Sequence, residues 1–124
     1  MHQMDRGHLV AYCTAKPGAW LDEPWEGDQV VKVGDRIFAF LGRVDGDPPS
    51  LGVKCGRTAE DARELRDRYP GVATVMAYIG RYGWNTVRVD GAVPDDELLE
   101  LVDASYDTVL AALPKGRRPL RPAG

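Results

Sequence analysis

A chain of 124 residues, 44% hydrophobic and 28% charged, has the balance of one ordinary globular domain able to bury a core of its own. Its net charge of −3 argues against a surface that attracts nucleic acid all over, and no apolar run approaches the roughly 18 residues that a membrane span requires. Two cysteines, Cys13 and Cys55, are too few for a disulfide framework and too far apart for a metal knuckle. With a polar start lacking the apolar stretch of an export signal, the expectation is a cytoplasmic protein with reduced thiols and no membrane contact.

Leu9, Tyr12 and Cys13 have the i, i+3, i+4 spacing of a helix with one buried stripe, and Pro17-Gly18 ends it. Residues 19–27, rich in acids, read as a loop tucked against the body by Trp20 and Trp25. Residues 29–33 and 36–41 are two strands of a hairpin, joined by Gly34-Asp35, because Gly34 can take the positive φ that a two-residue turn requires. A surface loop follows over 42–50, then a third strand over 51–55. Thr58 and Asp61 form a capping-box variant at the start of a helix whose inner face is Ala62, Leu65 and Tyr69, stopped by Pro70-Gly71.

Residues 72–79 are apolar enough for a buried fourth strand, and 84–90 alternate as a fifth. Pro94 opens the last helix, with Asp95, Asp96 and Glu97 at the end of the dipole that favours negative charge. Leu98, Val102, Tyr106, Val109 and Leu113 make its buried stripe. One domain over residues 1–116 and a basic, disordered tail over 117–124 complete the chain. The order α-β-β-β-α-β-β-α, with consecutive strands and short connections, predicts an α+β two-layer sandwich: an antiparallel sheet with its helices on one face.

Strand alternation assigns faces. With Val31, Val33, Ile37, Ala39, Leu41, Val53, Val87 and Val89 turned toward the helices, the uncovered face shows Lys32, Arg36, Lys54 and Arg88 among Phe38, Phe40 and Trp84. Arg81 and Asn85 flank Trp84 and join the candidate set. Cations among aromatics on a sheet suit single-stranded nucleic acid, whose bases stack and whose phosphates need counter-charge. They suit a protein partner as well, since Trp and Arg are typical anchors of interfaces. The competing reading of Trp84-Asn85 is structural: a packed indole and an amide that satisfies backbone groups.

Chemistry finds little support. Ser50 and Ser105 lack the setting of a nucleophile elbow, and His2, His8 and Cys13 lack zinc spacing. Gly80-Arg81-Tyr82-Gly83 lacks the Lys and Ser/Thr of a phosphate loop. No base is placed near either cysteine. The expectation is a protein that is not an enzyme and holds neither cofactor nor metal.

Several stretches, taken in order, resemble the YjbR/MmcQ family of small bacterial proteins: Ala11-Tyr12-Cys13 with Lys16-Pro17-Gly18-Ala19, Val53-Lys54-Cys55, Tyr69-Pro70-Gly71-Val72, Trp84-Asn85-Thr86-Val87, and Val93-Pro94-Asp95-Asp96-Glu97-Leu98. The resemblance implies a sandwich similar to bacterial frataxin (CyaY-like) and a DNA-binding role of the "double wing" type, which rests on likeness of fold. One segment departs from the family pattern. Where members often carry Pro-Gly-Tyr-His-x-Asn-Lys, this chain has Tyr78-Ile79-Gly80-Arg81, keeping a tyrosine and a base but no His or Asn. The sequence therefore points to a binding module with DNA as the first expected partner. The alternative is a protein-interaction adaptor using Trp84, Phe38 and Phe40.

Overall fold

Alternating apolar residues in the middle of the chain build the centre of a six-stranded sheet. The computed structural model describes residues 4–119. The strands are β1 (Ala19–Trp25), β2 (Asp28–Val33), β3 (Arg36–Arg43), β4 (Ser50–Lys54), β5 (Ala73–Val75) and β6 (Trp84–Arg88), in the spatial order β1-β2-β3-β4-β6-β5. Every neighbouring pair is antiparallel. Helices α1 (Arg6–Thr14), α2 (Arg63–Arg68) and α3 (Asp95–Ala112) cover one face, so the α+β two-layer sandwich is as expected.

The core lies between the helices and the inner sheet face. Val31, Val33, Ala39, Leu41, Val53 and Val87 are buried there against Leu98, Val102, Tyr106 and Val109, the α3 stripe read from its spacing. Residues Asp95, Asp96 and Glu97 occupy the first turn of α3. The Asp5 carboxylate caps α1 by accepting the His8 N–H at 2.8 Å. The Arg6 guanidinium then pins α1 to the end of β3 through the carbonyls of Leu41 and Gly42. Gly34 turns the β2–β3 hairpin at φ 62°, as its position requires.

Three local readings are corrected. Residues 19–25 form the edge strand β1, not a loop. The stretch is acidic and exposed and so shows no alternation, but it pairs with β2 from Ala19 opposite Val33 to Trp25 opposite Asp28. Residues 72–79 yield only the three-residue edge strand β5; the rest are turns leading into a 3-10 turn at Gly80–Tyr82. The Thr58 hydroxyl accepts the Asp61 N–H at 3.2 Å, yet this caps a preceding turn, and α2 starts at Arg63. Beyond α3, Lys115–Arg117 form a second 3-10 turn, and within the tail read over 117–124 the Arg118 guanidinium caps the end of α3 through the carbonyls of Leu113 and Ala111. Residues 120–124 lie outside the described residues.

Strands β3 and β4 pair only through Ala39–Val53 and Phe40–Gly52, then separate. Ser105 of α3, fully buried, enters that gap. Its hydroxyl accepts the Lys54 N–H at 2.9 Å and donates to the Phe38 carbonyl at 2.6 Å. One side chain thus replaces the missing rungs of the ladder. Removing it strands a buried donor and a buried acceptor, so Ser105→Ala is expected to cost about 2–3 kcal/mol in urea unfolding at unchanged m-value. A loss well under about 0.5 kcal/mol would mean that the two strands close on each other without it.

Candidate functional site

The open face of the sheet is built around a row of directly opposed residues: Val30, Phe40, Gly52, Thr86 and Thr74. Gly52 is required there, because a Cβ would collide with Met76 Cε and Phe40 Cβ, which close over it. Trp84, one step along β6, packs its ring edge-on against Phe40 at 5.3 Å between centroids and is left only 8% exposed. A shallow hollow of about 180 Å³ has Val30, Phe40 and Thr86 in its lining together with Trp25 and Met76. Among the described residues Asp28 is the one charged residue lining it.

The candidate residues part company. Phe38 is not on this face. A β-bulge in β3 sets Val31 opposite Ala39 and Lys32 opposite Ile37, leaving Phe38 as the extra residue. Phe38 therefore turns inward and meets the Tyr106 ring edge-on at 5.1 Å, fully buried. The same slip moves Ile37 to the open side and places Arg36 opposite Val33, on the helix side of the hairpin tip.

Asn85 is also fully buried, facing the helices. Its Nδ2 donates to the Ala62 carbonyl at 2.9 Å and its Oδ1 accepts from the Arg66 guanidinium at 2.8 Å, which also reaches the Ala59 carbonyl. Helix α2 has no side-chain cap of its own, so this amide and guanidinium hold it to the sheet. Trp84-Asn85 is thus a structural pair, one residue for each layer.

Of the cations expected on the open face, Lys32 is taken by Asp22 at 2.8 Å and lies over the Trp20 ring, while Arg88 is paired with Asp90. Lys54 donates to the Tyr82 carbonyl, which leaves its charge uncompensated. Desolvation, with repulsion from Arg57 behind it, pulls the Lys54 ammonium below its usual pKa. Arg81 stacks over the Tyr82 ring, 4.9 Å from its centroid.

Sequence reasoning missed the aromatic rim. Trp25 is 60% exposed instead of tucked in, Tyr82 is 50% exposed and Tyr78 97%. Tyr78 has φ 66°, among the described residues the one non-glycine in the left-handed region. It is held in its turn by hydrogen bonds from Ile79 N to Ala77 O and from Gly80 N to Met76 O. The available signal was the departure from the family pattern over residues 78–81.

The remaining perturbed groups serve packing. Tyr12 and Lys16 both bond Asp103, tying α1 to α3. Cys13 and Cys55 are free thiols. Burial pushes the Cys13 thiol from 9.0 up to about 12, and burial raises Cys55 against the smaller opposing effects of Asn85 and Arg66. Among the described residues no cluster of His, Cys, Asp and Glu could hold a metal, and no helix is long and apolar enough to cross a membrane.

Two predictions follow from this geometry. Asn85→Ala should cost about 2–3 kcal/mol, with amide exchange in α2 accelerated more than in α3; equal acceleration in both would contradict the local anchor. For the thiols, folding holds Cys13 protonated while an unfolded chain ionises near 9.0, so the unfolded state binds fewer protons above that pH. Stability should therefore fall between about pH 9 and 12 in wild type and fall less in Cys13→Ala, read by urea midpoints.

The likeness to known proteins matches this architecture. A family model described as YjbR matches residues 14–108. The uncharacterized protein YjbR of Escherichia coli K12 is 34% identical over 119 residues, covering 94% of this chain and 97% of that protein. The crystal structure of Deinococcus radiodurans protein DR2400, a DUF419 domain, superposes with a TM-score of 0.83 at 28% identity, over 94% of this chain and 86% of that one. A Pseudomonas syringae protein shares the fold at 21% identity, with a TM-score of 0.67 over 85% of this chain and 98% of its own. With the family model extending from the end of α1 into the last turns of α3, the chain belongs to the YjbR family.

Proposed function

We propose that this protein is a non-catalytic binding module that docks a protein partner on the open sheet face and its aromatic rim. The observation that carries this reading is the hollow between Trp25 and Met76: its lining is mostly apolar, and among the described residues its one charge is the acid Asp28. Such a surface rewards burial of an apolar side chain and offers a phosphate nothing. Trp25 and Tyr78 supply large, exposed rings of the kind that anchor interfaces.

Single-stranded DNA is the second reading, favoured by one corner alone. There Lys54, Arg57 and Arg81 gather near Tyr82, cations beside a stackable ring. With Lys32 and Arg88 already in ion pairs, this corner leaves few phosphate contacts, and the expected affinity is weak and strongly salt-dependent.

Pull-down with wild type and with Trp25→Ala/Tyr78→Ala separates the two. Both side chains are exposed, so the variant keeps the wild-type fold by circular dichroism. The protein-docking reading predicts a partner retained by wild type and reduced at least ~10-fold in the variant. DNA binding by anisotropy that falls with salt, is lost in Lys54→Gln/Arg81→Gln and is untouched by Trp25→Ala would overturn it.

A further inference from the structure

Where β3 and β4 separate, the sheet leaves a second opening, at the end facing the last turns of α3. It is a pocket of about 400 Å³, within the size range of small-ligand sites. Trp84, Ile79 and Val109 give it apolar walls, drawn from the sheet, the turn after β5 and α3. Among the described residues two cations line it, Arg36 and Lys54, and no acid does.

Neither charge is spent. Arg36 makes no ion pair among the described residues, and the Lys54 ammonium meets only the neutral Tyr82 carbonyl. A helix C-terminus near a pocket would ordinarily repel an anion through its free carbonyls. Here Arg118 occupies those of Ala111 and Leu113. The bulge at Phe38 completes the site: by reversing the alternation of β3 it sets Arg36 opposite Val33, on the α3 side, and Arg36 and Ile37 both line the pocket.

We propose that this pocket binds an apolar group carrying a carboxylate, its hydrophobic body against Trp84, Ile79 and Val109 and its charge between Arg36 and Lys54. A guanidinium and a partly desolvated ammonium give an anion two charge-assisted hydrogen-bonding partners, whereas a neutral isostere gains the apolar contact alone. The chemistry is shared by a free aryl-alkyl acid and by a protein C-terminus ending in a large apolar residue. The site is separate from the hollow on the open face, so either can exist without the other.

The test is an NMR titration of the full chain with 4-phenylbutyrate, its primary amide, and a blocked dipeptide ending in phenylalanine with a free or amidated carboxyl. The expected result is sub-millimolar binding of at least one acid, with shifts at the Trp84 indole and Thr108. Its amide and the Arg36→Gln variant should each bind about 10-fold more weakly. Arg36 is exposed, so that variant keeps the wild-type spectrum elsewhere. A tighter free acid identifies a small-molecule site, and a tighter peptide identifies a C-terminus. No shift at about 5 mM, equal binding of acid and amide, or wild-type affinity in Arg36→Gln would overturn the proposal.

Discussion

The Ser105 hydroxyl sits where the sheet would otherwise come apart. Strands β3 and β4 exchange only two opposed pairs before they diverge, and a single buried oxygen joins Lys54 N–H to Phe38 C=O across the gap. Because the joining group belongs to α3, the helix layer and the sheet are fixed by the same bond. The divergence has a further consequence: the pocket lined by Arg36, Lys54, Trp84 and Val109 opens beyond it, whereas a fully paired β3–β4 ladder would close that space.

Strand β6 divides the labour between the two faces. Trp84 packs onto Phe40 on the open side, and Asn85 faces the helices, holding the uncapped α2 through Ala62 and Arg66. Asn85 is wholly buried and Trp84 shows only an edge, at the pocket it shares with Lys54 and Val109, which shifts attention on the open face from the Trp-Asn motif to what surrounds it. Trp25, Tyr78 and Tyr82 carry exposed aromatic surface instead, with Trp25 bordering the hollow. Cations that looked free in the sequence are held by Asp22 and Asp90, so the open face as a whole does not present a basic stripe.

What was legible in the sequence is what local chemistry decides. The α3 stripe from Leu98 to Leu113, the Gly34 turn and the inward Val87 and Val89 each follow from spacing or from one backbone requirement, and each stands in the structure. What was illegible depends on partners distant in the chain. The bulge at Phe38 exists only as a register between β2 and β3, and a one-residue slip reverses every face assignment behind it. Strand β1 pairs through its backbone while exposing most side chains, so alternation left no trace. The burial of Asn85 depends on where α2 lands, its partners Ala62 and Arg66 lying 23 and 19 residues back in the chain, and the ion pairs of Lys32 and Arg88 depend on β1 and on the turn after β6.

Tyr78 decides whether the exposed aromatic residues form a docking surface or belong to the packing. A non-glycine residue at positive φ costs about 1–2 kcal/mol, and a ring 97% exposed returns nothing to the fold. The most direct measurement is the unfolding free energy of Tyr78→Ala and Tyr78→Gly beside wild type. The alanine variant should match wild type within about 0.5 kcal/mol, and glycine, free of the strain, should be more stable by up to about 1 kcal/mol. A loss above about 1 kcal/mol in the alanine variant would show that the ring belongs to the folded core and would contradict its place in a docking surface.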